Sequence, residues 1–81
     1  MAPIAADAES KMLSKALGRT IRALREERKV SQEQFAEMTG HHRTYIGFLE
    51  RGERTPNVVT LKRVASALNM KASELLRLAG F

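Results

Sequence analysis

The segment SQEQFAEMTGHHRTYIGFLERGERTP, residues 31–56, does most to restrict what this chain can fold into. Ser31 stands three residues before Gln34. That is the spacing of a capping box, in which the serine oxygen and the glutamine side chain satisfy free amides at a helix start. Gly40 follows, and glycine ends a helix by taking the left-handed conformation it tolerates best. A further helical pattern, about His42 to Arg51, begins at once and is stopped by Gly52 in the same way. Helices this short are marginal alone. The pair must be locked at a fixed angle against a core supplied by the rest of the chain.

The rest of the chain is also helical in pattern. No window alternates with period two, and no hairpin turn lies between β-branched runs, so an all-α, five-helix domain is expected. Leu13, Leu17, Ile21 and Leu24 mark an amphipathic first helix from about Ser10 to Arg28. In the second helix Phe35, Ala36 and either Met38 or Thr39 face inward. Asn57 caps a fourth helix after the break at Pro56, with Val58, Leu61, Val64, Ala65 and Leu68 on its inward stripe. A fifth, shorter helix runs from about Ala72 to Ala79, with a poor cap in Lys71. Residues 1–9 are read as a flexible tail and residues 10–81 as the single domain.

Composition narrows the function. The 81 residues carry no cysteine, so neither disulfides nor thiolate metal sites supplement a small core. The only aspartate, Asp7, lies in the tail, and the glycines fit neither GxGxxG nor GxxxxGK[ST]. His41 and His42 are adjacent and would point about 100° apart on a helix, unable to clamp one metal. No enzyme, metal or cofactor is expected. With no apolar run of membrane-spanning length and no signal-peptide pattern, a soluble cytoplasmic protein is expected. The net charge is +5, and because Asp7 and Glu9 fall in the tail, residues 10–81 carry 14 cations against 7 acids. Such a domain suits a polyanionic partner.

The third helix sharpens that expectation. At 100° per residue Tyr45, Ile46 and Leu49 form a core stripe, with Glu50 at its margin. Arg43, Thr44, Gly47, Phe48 and Arg51 fall on the other side, an odd set for a solvated face. Each suits DNA. Arginine presents a donor fork to guanine O6 and N7, threonine touches a base edge or phosphate, and an apolar ring meets a thymine methyl. A mid-helix glycine costs about 1 kcal/mol against alanine; here its bare backbone is read as room for close approach by DNA.

The run IRALREERKVSQEQFAEMTGHHRTYIGFLERGERTPNVVTLKRVASAL resembles the Cro/phage-repressor (XRE-like) helix-turn-helix family over about residues 17–79. The parts that carry the likeness are LR before the turn, SQE-x-[LF]-A, Gly40, YI-x-x-LE-x-G and TL-x-x-x-A-x-AL. The resemblance implies a five-helix Cro/repressor-type domain that binds double-stranded DNA, with residues 42–51 as the recognition helix. It implies base contacts from Arg43, Thr44 and Phe48, and phosphate contacts from the Tyr45 hydroxyl, Arg51 and Arg54. Gln32 would touch phosphate and a base. Arg25 and Glu50 match an ion pair joining the first and third helices, Gly40 the turn glycine, and Ala36 the small residue where the helices cross. His41 departs from the family, which usually has an aliphatic residue there.

The pattern RTYIG-x-x-ERGER in a chain of this length is more narrowly similar to the controller proteins of restriction–modification systems, small homodimers that activate and then repress their own operon. That likeness implies a cytoplasmic, nucleoid-associated regulator, with RNA polymerase as a further partner. Other phage or chromosomal repressors, and antitoxin-type interaction modules that also bind DNA, remain alternatives. A homodimer on a pseudo-palindromic operator is expected because Leu75, Leu76, Leu78, Ala79 and Phe81 cannot all face one small core. Val59, Leu75, Leu78 and Phe81 are the expected interface.

Overall fold

The computed structural model describes residues 3–81, with side chains from Asp7 onward. Five helices and no strand occur among these residues. They are α1 (Pro3–Glu27), α2 (Gln32–Thr39), α3 (Arg43–Glu50), α4 (Val58–Ala67) and α5 (Ala72–Leu78). The all-α, five-helix architecture expected from the sequence is the one observed. α1 starts at Pro3, not near Ser10. Proline suits a first helical position, where its missing N–H would have no partner anyway, and alanine, frequent just after it, is the strongest helix former. Residues 3–9, expected as tail, therefore continue the helix, while residues 1 and 2 lie outside the described residues.

The core gathers Leu17 and Ile21 of α1, Phe35 and Ala36 of α2, Ile46 and Leu49 of α3, Val64 and Ala65 of α4, and Leu75 of α5, with Leu68 at the end of α4. α3 packs on α1 and α2, α4 bridges α2 and α5, and α5 returns to α1. Two expectations change here and a third is narrowed. Leu75, expected in a dimer interface, is fully buried, because the side of α5 that faces α1 and α4 needs a large side chain at that point. Val58, expected on the inward stripe of α4, is 80% exposed. It is the first helical residue, and the buried stripe begins two residues further on, with Thr60. Of the two candidates in α2, Thr39 is the one buried, and its hydroxyl donates to the Phe35 carbonyl at 2.9 Å.

Two glycines set how closely α3 sits on α1. A Cβ built on Gly18 would fall on the carbonyl oxygen of Leu49 and 2.5 Å from that of Glu50. One built on Gly52 would come 2.7 Å from the Lys15 Cα. The end of α3 is thus pressed backbone to backbone against the middle of α1. The loop beyond is tied to the same helix by a 2.6 Å hydrogen bond between the Ser14 and Thr55 hydroxyls.

Candidate nucleic-acid interface

The angle between α2 and α3 is held by local chemistry at each helix end. The Ser31 hydroxyl accepts the Gln34 N–H at 3.0 Å and the Gln34 side chain accepts the Ser31 N–H at 2.9 Å, so the capping box is complete. At the far end Gly40 adopts φ +73°, and the N–H groups of Gly40 and His41 reach back to the carbonyls of Glu37 and Ala36. This is a Schellman turn, and α3 ends in another: Gly52 donates to Leu49 and Glu53 to Phe48. α3 starts on a cap that the sequence reading missed. His42 Nδ1 accepts the Thr44 N–H at 3.1 Å, a place usually taken by Ser, Thr, Asp or Asn.

Beneath the two helices lies a charged network. Arg25 grips Glu50 with two hydrogen bonds, Nε to Oε2 at 2.6 Å and Nη2 to Oε1 at 3.0 Å. Its third arm donates to the Val30 carbonyl at 2.7 Å. Both side chains are almost wholly buried, at 9% and 2% exposure. The hydrogen bonding of its guanidinium to Glu50 raises the Arg25 pKa despite the opposing cost of burial, and the Glu50 and Glu26 charges add to it. Gln32 joins by donating to Glu50 Oε1 at 3.0 Å. The expected α1–α3 pair is therefore present, and Gln32, expected to contact phosphate and a base, is half buried with one amide N–H committed inward. Its second amide N–H is not used by this bond.

The outer side of α3 carries the cations. Arg43 and Thr44 on its first turn are exposed, as are Arg51 at its end and Arg54 in the following loop, while Tyr45 is half buried. Ile46 and Leu49 on the opposite side are 0% and 1% exposed, so the helix divides as its periodicity implies. Two residues in the outer wedge behave otherwise. Gly47 is buried, and an added Cβ would meet its own helix's Arg51 Nη1 at 3.0 Å. Phe48 is half buried, with the guanidinium carbons of Arg51 and Arg54 over its ring at 5.4 and 5.1 Å from the centroid. Arg51 also pairs with Glu53 at 3.2 Å. The space left by Gly47 is thus occupied by a side chain of this protein. His41, where the family usually has an aliphatic residue, lies against Tyr45 with ring centroids 4.8 Å apart and tilted, and its buried Nε2 has no partner.

Chemically, this is a two-helix platform with fixed backbone, a buried ion pair as its anchor and guanidinium groups on its open side. Of the expected dimer residues, Val59, Leu78 and Phe81 are exposed at 59%, 59% and 48%. No helix among the described residues is long and apolar enough to cross a membrane.

Comparison with known proteins bears on the same residues. A helix-turn-helix family model matches residues 21–75. The chain is 45% identical over 64 residues to the control protein C.SmaI of Serratia marcescens, an alignment covering 79% of this chain and 76% of that protein. It is 38% identical over 60 residues to the immunity repressor protein of Bacillus phage phi105, covering 74% of this chain and 42% of the repressor. Among solved structures it is similar to the restriction-modification controller protein C.AhdI from Aeromonas hydrophila. That match has a TM-score of 0.73 and 36% identity, and covers 75% of this chain and 92% of that one.

Proposed function

The chain belongs to the helix-turn-helix family, and from that footing we propose that it is a sequence-specific transcriptional regulator of double-stranded DNA, with α3 in the major groove. The observation that carries this reading is the split character of α3. One side is sealed into the core, and the other presents Arg43, Thr44 and Arg51 to solvent at the end of a rigid two-helix frame. A helix docked in this way places its N-terminal residues on base edges. Arg43 and Thr44 are the base readers. The Tyr45 hydroxyl, Arg51, Arg54 and the remaining N–H of the Gln32 amide hold phosphates, fixing the register without reading sequence.

The protein acts as a homodimer. Val59, Leu78 and Phe81 leave apolar surface open on α4 and at the end of α5, and a two-fold pair would set two α3 helices about 34 Å apart on successive major grooves. The likeness to C.SmaI and C.AhdI supports the narrower reading of a controller of a restriction–modification operon. In that role it would occupy sites at its own promoter, activating at low occupancy alongside RNA polymerase and repressing when more sites fill. Its place would be on the chromosome, in the cytoplasm.

Selection from a pool of randomised duplexes tests the core of this reading. The expected product is an enriched pseudo-palindrome with half-sites about ten base pairs apart, bound in excess competitor. Enrichment of no sequence, with weak binding to every duplex, would contradict it. For the controller role, a reporter driven by the gene's own upstream region should rise and then fall as the protein is titrated in; a flat response would remove that role and leave DNA binding standing.

A further inference from the structure

Resting on the DNA-binding reading above, we infer that Gly47 and Phe48 are positioning residues: together they seat the guanidinium groups of Arg51 and Arg54 for the DNA backbone. Neither residue is used to touch DNA.

Four observations converge on this. Arg51 and Arg54 both lie over the Phe48 ring, at 5.4 and 5.1 Å. The Arg51 guanidinium also lies against Gly47, close enough that a single added methyl would stand 3.0 Å from its Nη1. Phe48 is only half exposed, so the surface it could offer a base is already shared with two cations of its own chain. The carbonyl of Phe48 accepts the Glu53 N–H at 2.9 Å, which folds the loop carrying Arg54 back toward the ring.

The physics explains the composition. Arginine has a long side chain with large rotamer entropy, and much of that entropy is lost when a free guanidinium is fixed on a phosphate. A cation over an aromatic face is already held, weakly and without blocking the N–H groups that point away from the ring. Part of the ordering is thereby done before DNA arrives, which strengthens binding without a new contact to DNA. The Glu53 carboxylate, 3.2 Å from Arg51 Nη2, satisfies that arm in the free protein, and phosphate would replace it. Glycine at 47 leaves the space against which the Arg51 guanidinium lies. Its cost to the helix is accepted to place an arginine, where the sequence alone points to room for DNA.

The test measures duplex binding by fluorescence anisotropy on a cognate and a random duplex, with melting temperature recorded for every variant. Phe48→Leu should weaken both duplexes alike, by about five- to thirtyfold, as expected for two weak cation–ring contacts. Phe48→Tyr should bind as the parent does. Gly47→Ala should weaken binding by about two- to fivefold while its melting temperature holds or rises, because alanine favours the helix. Both losses should vanish in an Arg51→Ala, Arg54→Ala background. In the free parent protein, the Arg51 and Arg54 side-chain protons should show upfield ring-current shifts that Phe48→Leu abolishes.

Several results would overturn the inference. Persistence of the Gly47→Ala loss without the arginines would make Gly47 a clearance for DNA itself. A Phe48→Leu loss confined to one A·T position would make the ring a base reader. Unshifted arginine protons in the parent would remove the seat even if Phe48→Leu failed to fold. Failure of the parent to bind any duplex at low salt would strike the DNA reading first, and the shifts would still report on the seat.

Discussion

Arginine 43 and arginine 25 have the same side chain and opposite uses, and their surroundings decide which. Arg43 is exposed on the first turn of α3 and forms no ion pair among the described residues, which suits the base-reading role proposed for it. Arg43→Ala is expected to lose about 1–3 kcal/mol on the cognate duplex and to flatten the preference at one base position. An equal loss on every sequence would make it a phosphate contact. Arg25 is enclosed with Glu50, and removing one member of a buried pair leaves the other charge uncompensated. Arg25→Ala should therefore destabilise the fold by about 3–5 kcal/mol in urea denaturation, and a curve overlaying the parent's would refute the pair's structural role. His41 offers the reverse case. Its buried Nε2 has no partner, so His41→Leu should stabilise the fold by about 1 kcal/mol, the cost of the orphaned nitrogen, with DNA affinity unchanged. A lower melting temperature would show that the stack on Tyr45 outweighs the orphan.

Among the helices, what was legible in the sequence was local. The capping box at Ser31 and Gln34, the stop at Gly40 and the Asn57 cap on the Thr60 N–H at 2.8 Å each involve residues within a turn of one another, so spacing suffices to read them. The family motifs supplied the Arg25–Glu50 pair, whose partners lie 25 positions apart. For Val58 and Leu75 the reading differs from the structure because each depends on what another element does. Whether Val58 is buried depends on where α4 first meets its neighbours, and whether Leu75 faces inward depends on how α5 returns to α1. A helical wheel puts Arg51 on the same side as Gly47 and Phe48, but it cannot show the guanidinium lying against them. Gly18 gave no signal at all, since only the α1–α3 contact makes a bare Cα necessary. Gly18→Ala follows as an element-scale prediction. The methyl would collide with two α3 carbonyl oxygens, and overpacking of this kind costs about 1–3 kcal/mol. It should lower the melting temperature and loosen α3, so that cognate affinity falls with it; a melting temperature at or above the parent's would mean the helices part freely.

At the scale of the whole molecule, two of the surfaces left once the core is closed bear on the proposed function. One is the cationic side of α3 and its following loop. The other is the apolar surface left by Val59, Leu78 and Phe81. In the homodimer proposed above, these apolar residues would pair two chains, and pairing would give two copies of the cationic surface a spacing that a duplex can match. Leu78→Asp combined with Phe81→Asp changes only exposed positions, so the monomer should fold. Sedimentation velocity should find it monomeric, and affinity for a full operator should drop by about a hundredfold or more while half-site affinity is kept. A variant that still sediments as a dimer would place the interface elsewhere. The central claim is that α3 enters the major groove, and guanine N7 lies on the floor of that groove. Methylation protection on the selected operator reads that position directly. The account predicts two clusters of shielded guanines about ten base pairs apart, at least one lost from each half-site with Arg43→Ala. Full methylation of every guanine in a duplex that the protein still occupies would contradict it.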